Sequence, residues 1–70
     1  METMFITFGE SLKELRTSRN ISQIELSKEI YVSQSTVSKW ENGLINPTMS
    51  NLIVLSDYFD ISIDELIGLR

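Results

Sequence analysis

The chain has 70 residues, no cysteine, no histidine and a formal net charge of −4. That length suits one domain, expected over residues 1–70 with its core at about 7–68, and a chain this short has modest stability. The missing cysteine and histidine exclude disulfides, thiolate metal sites and His-based catalytic triads, and nearly exclude zinc. The longest apolar run, Leu52 to Leu55, is too short to span a membrane. Met1 to Met4 lacks the basic flank and apolar stretch of a secretory signal. A cytoplasmic protein is expected, with no membrane association, no cofactor and no small-molecule ligand. No nucleophile–base pair or pocket volume supports an enzyme.

The acidity argues at first against nucleic acid, whose phosphates attract bases. Its distribution weakens that objection. Residues 1–48 carry six acids against five bases, whereas residues 49–70 carry four acids against Arg70 alone. The cluster Asp57, Asp60, Asp64 and Glu65 is not a metal site in this reading. Asp60 suits a turn, and Asp64 and Glu65 favour the positive end of a helix dipole.

Apolar residues recur at spacings of three and four, which predicts an all-α chain. The first helix is predicted to open at Thr7, with Thr7 and Glu10 as a capping box and Phe8, Leu12, Leu15 and Arg19 on one face. It should stop between Ser18 and Asn20. A second capping box, Ser22 to Glu25, opens a short helix carrying Leu26 and Ile30, which ends by Tyr31-Val32. Ser33 starts a third helix with Val37 and Trp40 facing inward, and Gly43 ends it in the left-handed conformation. Thr48 caps a fourth helix of about ten residues through Leu52, Leu55 and Phe59. Asp60-Ile61-Ser62 turns the chain. Ser62 and Glu65 form a third capping box for a last helix through Leu66 and Ile67, ended by Gly68. Five helices around one small core is the expected architecture.

The stretch from Gln23 to Asn42 has helix-turn-helix proportions: a helix of about eight residues, a break, then one of about nine. Leu26, Ile30, Val32, Val37 and Trp40 are its inward positions, and Ser27 is small where the helices approach. The outward residues of the second helix, Ser33, Gln34, Ser35, Ser38, Lys39 and Asn42, are polar and none is acidic.

Gln23-x-Glu25-Leu26-Ser27, the run Val32 to Gly43, Pro47, and Ile61 to Leu66 resemble the Cro/CI-type helix-turn-helix family, also called the XRE family. The resemblance runs from about Phe8 to Gly68 and implies a compact five-helix, lambda-repressor-like DNA-binding domain. It implies a sequence-specific transcriptional regulator, a repressor that binds double-stranded DNA in the major groove as a homodimer on a pseudo-palindromic operator. By position, Gln34 and Ser35 match base-reading residues at the start of the recognition helix, with Lys39 one turn on and Ser33 at the cap. A glutamine can pair bidentately with adenine. Ser22, Gln23, Thr36, Ser38 and Asn42 match phosphate contacts, and Gln23 is placed to brace Gln34. Arg16 and Glu41 match a structural ion pair joining the first and third helices. Dimer contacts are expected from the C-terminal third, at Tyr58, Phe59, Ile61, Ile67 and Leu69. The family often has glycine where Tyr31 stands, which predicts a distorted turn or a tyrosine packed on its neighbours. The acidic C-terminal third keeps an alternative open, a protein-interaction module or antitoxin on the same fold.

Overall fold

The computed structural model describes the backbone of residues 4–68 and the side chains of residues 8–68. Five helices follow one another: α1 (Met4–Ser18), α2 (Gln23–Glu29), α3 (Gln34–Glu41), α4 (Met49–Phe59) and α5 (Ile63–Leu66). Helix α1 packs on α3 and α5, α2 on α3, and α4 on α5. Phe8, Leu12, Leu26, Val37, Trp40, Leu55, Phe59 and Leu66 fill the centre and are almost wholly buried. The Phe8 ring stands edge-on to Trp40 at 5.8 Å, a favoured arrangement because a ring's positive edge meets its neighbour's negative face.

Helix starts follow the capping chemistry in four cases. Ser22, Ser33, Thr48 and Ser62 each hold an extended backbone, and each side chain accepts from an N–H in the first turn. At α5 the Ser62–Glu65 box is closed in both directions. At α4 it is also closed, with Asn51 in the glutamate's place. At α2 only the serine half forms; among the described residues Glu25 returns no bond. Helix α1 is different. It begins at Met4, so Thr7 lies inside it and is not its cap. The capping-box pattern is compatible with a helix start but does not compel one when the preceding residues can also be helical.

Four helices end in one way. Asn20, Tyr31, Gly43 and Asp60 take left-handed φ angles of 57°, 60°, 72° and 57°. The next N–H in each case bonds back to a carbonyl five residues earlier: Ile21 to Arg16, Val32 to Ser27, Leu44 to Lys39 and Ile61 to Ser56. This is the Schellman arrangement, which satisfies carbonyls that the helix leaves open. The turn at Tyr31 is therefore undistorted, contrary to expectation. Nor does the tyrosine pack on its neighbours, since it is 93% exposed. The carbonyl bonding at the end of α2 demands the left-handed residue, and the tyrosine accepts the steric cost by pointing into solvent.

Gly9 has a role that its place beside Thr7 in the sequence does not suggest. It sits on α1 where that helix meets the end of α3. A Cβ there would strike the Trp40 carbonyl and lie 2.9 Å from the Glu41 carbonyl oxygen. The missing side chain lets the two helices touch. At the other end of α1, the Arg19 guanidinium donates to the Phe59 carbonyl at 2.8 Å and lies 5.0 Å over the Phe59 ring. That contact ties α1 to the end of α4.

Candidate nucleic-acid interface

Helix α3 packs on both α1 and α2. Val37 and Trp40 anchor it to the core, so the rest of its surface is fixed by helical phase. Ser33, Gln34, Ser35, Lys39 and Asn42 are exposed along it, and Thr36 and Ser38 are half-buried. Among the described residues of α3 and its caps, no acid lies on this surface. The one carboxylate of α3, Glu41, is turned away and is only 3% exposed.

Glu41 is the hub of a chain of side-chain bonds that ends at Gln34. Arg16 Nε donates to Glu41 Oε2 at 2.7 Å, and its Nη2 donates to Glu41 Oε1 at 3.0 Å. Its Nη1 donates to the Ile21 carbonyl at 2.8 Å. The arginine is thus held as a two-pronged fork, which matches carboxylate geometry. The bond to Glu41 holds the Arg16 pKa above the ordinary arginine value, against the smaller opposing effect of burial. Glu41 Oε1 also accepts from Gln23 Nε2 at 3.0 Å. Gln23 Oε1 in turn accepts from Gln34 Nε2 at 2.7 Å.

The order of these bonds has a chemical consequence. A carboxylate only accepts, so Gln23 must present its amide nitrogen to Glu41. Its carbonyl oxygen then faces Gln34, and Gln34 must present nitrogen in return. The charge on Glu41 therefore sets which way both amides point. Among the described residues Gln34 keeps its carbonyl oxygen and one N–H unused. That is the donor–acceptor pair that a glutamine needs to meet the N6 and N7 edge of adenine.

The serines are partly engaged. The Ser33 oxygen accepts from the Thr36 N–H at 3.0 Å, and the two hydroxyls share a 2.8 Å bond. One hydroxyl proton of that pair remains free. Ser22 accepts from the Glu25 N–H at 3.0 Å and keeps its own proton to donate. Asn42 donates to Ser38 at 3.4 Å. The pairing of Gln23 with Glu41 was not legible in sequence, since 18 positions separate them.

The expected dimer residues are placed less favourably. Phe59 is fully buried and cannot be a surface contact. It is in core phase on α4, and Tyr58 covers it edge-on at 5.0 Å. Tyr58, Ile61 and Ile67 are half-buried against the core. Leu69 lies outside the described residues. The exposed large apolar residues are elsewhere, at Ile24, Tyr31, Leu44, Ile45, Met49, Ile53 and Val54.

A short helix, a left-handed turn and a second helix with an acid-free outer face define a helix-turn-helix module of the kind that enters the DNA major groove. The sequence matches the family model described as helix-turn-helix over residues 12–66, and the chain belongs to this XRE-type family of DNA-binding transcription regulators. It is 43% identical over 61 residues to the HTH-type transcriptional activator BcrR of Enterococcus faecalis, covering 87% of this chain and 30% of that protein. It is 41% identical over 59 residues to the cryptic phage CTXphi transcriptional repressor RstR of Vibrio cholerae, covering 84% of this chain and 53% of that protein. The chain thus spans about half of RstR and less than a third of BcrR. Among solved structures it resembles the restriction-modification controller protein C.AhdI from Aeromonas hydrophila, with a TM-score of 0.81 and 34% identity over 89% of this chain and 94% of that one.

Proposed function

We propose that this chain reads a pseudo-palindromic DNA operator as a homodimer in the cytoplasm and represses transcription from it. Gln34, Ser35 and Lys39 read base edges in the major groove, with Ser33 at the margin because its oxygen already caps α3. Ser22, Gln23, Thr36, Ser38 and Asn42 hold phosphates and set the register of α3. The observation that carries the reading is the pre-oriented Gln34 amide, held through Gln23 to a buried Arg16–Glu41 pair. An exposed glutamine with no such brace samples many rotamers and loses entropy on binding.

Repression is the simpler mode for this surface, because occupying DNA is enough to block a polymerase. Activation needs an additional protein contact. With Lys39 the one cation on α3, the electrostatic contribution is small, so non-specific affinity is weak and the salt slope shallow. Two half-sites then supply what one cannot.

Selection from a random duplex pool tests this directly. A twofold-symmetric consensus should emerge. Gln34→Ala should lose about 1–3 kcal/mol on that site and relax preference at one base pair per half-site, whereas Asn42→Ala should weaken all sequences evenly. Unchanged preference in the Gln34 variant would refute the readout assignment. Failure to select any DNA at low salt, with a cellular protein co-purifying, would favour the interaction-module reading that the acidic C-terminal third suggests.

A further inference from the structure

We propose that Glu41, beyond its structural pairing with Arg16, is a specificity-determining positioning residue: acting through Gln23, its carboxylate makes Gln34 select adenine against guanine. The inference rests on the base-reading role given to Gln34 above. It deepens that reading by naming the base and the residue that enforces the choice.

Gln34 is exposed, and an amide is nearly symmetric in shape. Left to itself it turns over at little cost, since the torsion that carries it is broad and roughly two-fold. Its orientation decides what it reads. Oxygen toward the N6 amino group and nitrogen toward N7 fit adenine. Guanine offers acceptors at both O6 and N7, so it calls for two N–H groups with the amide oxygen turned away. A glutamine free to turn accommodates both purines. One whose second N–H is already given to a neighbour keeps its oxygen beside the remaining N–H, and that oxygen opposes guanine O6.

Gln34 is in that state. Its Nε2 donates to Gln23 Oε1 at 2.7 Å, and Gln23 Nε2 donates to Glu41 Oε1 at 3.0 Å. Gln23 alone would be no better fixed than Gln34. Turned over, it would offer nitrogen, Gln34 would answer with its oxygen, and both N–H groups of Gln34 would be released for guanine. The carboxylate prevents this, because it has no proton to donate and a reversed Gln23 would set oxygen against charged oxygen. Glu41 is 3% exposed, so little water reaches it to screen that repulsion, and Arg16 fixes its position with two bonds. Each amide therefore has one allowed orientation, set from the buried end.

This arrangement makes stability and base preference separable. In Glu41→Gln one oxygen remains. The Oε1 position receives two donors, Arg16 Nη2 and Gln23 Nε2, whereas the Oε2 position receives only Arg16 Nε. The amide oxygen takes the Oε1 position and keeps Gln23 oriented, although the lost charge lowers stability. In Arg16→Met with Glu41→Leu no buried charge remains, so stability is partly restored, but Gln23 has lost its acceptor. A residue with a structural role alone would move base preference in step with stability.

The test uses the full chain and the consensus duplex recovered from the random pool, alongside the same duplex with the read A·T pair changed to G·C in each half-site. Dissociation constants are measured by fluorescence anisotropy below the melting temperature of the weakest variant, and circular dichroism melts give stability. Wild type should prefer adenine by about 5- to 150-fold per half-site, the range of a bidentate contact. The double variant should lose about 2- to 12-fold of that ratio, the worth of one net hydrogen bond. Gln23→Met, which interrupts the chain one step on without touching the ion pair, should lose as much, and the two combined no more than either alone. Glu41→Gln should keep the wild-type ratio while melting lowest. An unchanged ratio in the folded double variant or in Gln23→Met would overturn the proposal. So would a ratio in Glu41→Gln that falls with its stability, or a consensus with guanine at the position that Gln34→Ala relaxes. Were the double variant unfolded, Gln23→Met against Glu41→Gln makes the same comparison. If Gln34→Ala relaxes the preference and the double variant does not, only the role of Glu41 falls. If Gln34→Ala itself keeps the preference, the readout reading falls and this proposal with it.

Discussion

Replacing Glu41 by glutamine keeps the shape of the side chain and removes its charge. Arg16, whose side chain is 11% exposed, would then keep only the Ile21 carbonyl and one neutral acceptor. Breaking a buried pair by removing one partner typically costs about 3–5 kcal/mol, because the remaining charge is left without compensation. The partial exposure of Arg16 and its surviving bond place the expected loss near the lower end, about 3 kcal/mol. A domain of this length has total stability of roughly 3.5–10 kcal/mol, so about 30% of it or more is at stake. Urea unfolding followed by Trp40 fluorescence measures the loss, since Trp40 is the single tryptophan and is buried beside Glu41. With a slope near 1 kcal/mol/M the midpoint should fall by roughly 3 M. The melting temperature should fall by about 12 °C or more. A second variant, Arg16→Met with Glu41→Leu, should recover part of the loss, because neither buried charge remains. A Glu41→Gln loss below about 1 kcal/mol, or a double variant no better than the single one, would refute the assignment of Arg16–Glu41 as a desolvated pair.

Gly9→Ala should destabilise by about 1–3 kcal/mol despite alanine's better helix propensity, because its Cβ meets backbone carbonyls that cannot rotate away; a stabilised variant would show that α1 and α3 separate freely. Tyr31→Gly should stabilise by about 1 kcal/mol, since glycine takes the left-handed φ without steric cost and the tyrosine loses almost no packing; a loss in thermal melts would mean that the tyrosine makes a contact in solution. Between pH 6 and 9 unfolding free energy should stay level within about 0.5 kcal/mol. There is no histidine or cysteine to titrate, and Arg16 has a raised pKa. Its stabilisation is complete below the ordinary arginine value and is lost only as pH rises beyond it. A slope in urea titrations across that window would point to a proton-binding group that shifts on folding.

Local chemistry was legible in the sequence because it depends on neighbours a few residues apart. The caps at Ser22, Ser33, Thr48 and Ser62, the left-handed Gly43 and the inward phase of Leu26, Val37, Trp40 and Phe59 all follow from spacing. So did the acid-free outer face of α3, which is a matter of helical phase alone. The start of α1 was not legible, because Thr7 and Glu10 satisfy a capping pattern that residues inside a longer helix can satisfy equally well.

The bonds that set the site are of another kind. Arg16 and Glu41 stand 25 positions apart, and Gln23 and Gln34 stand 11 apart. The resemblance paired both couples, but the intervening bond from Gln23 to Glu41, which turns two pairs into one chain, exists only once α1, α2 and α3 pack. The close approach at Gly9 and the open face around Ile53 have the same origin. A helix that is apolar on more than one side, as α4 is, does not declare which side the rest of the chain will cover. The sequence by itself determined the helices and the face that could meet DNA; packing decided how firmly that face is held and which apolar side chains it leaves uncovered.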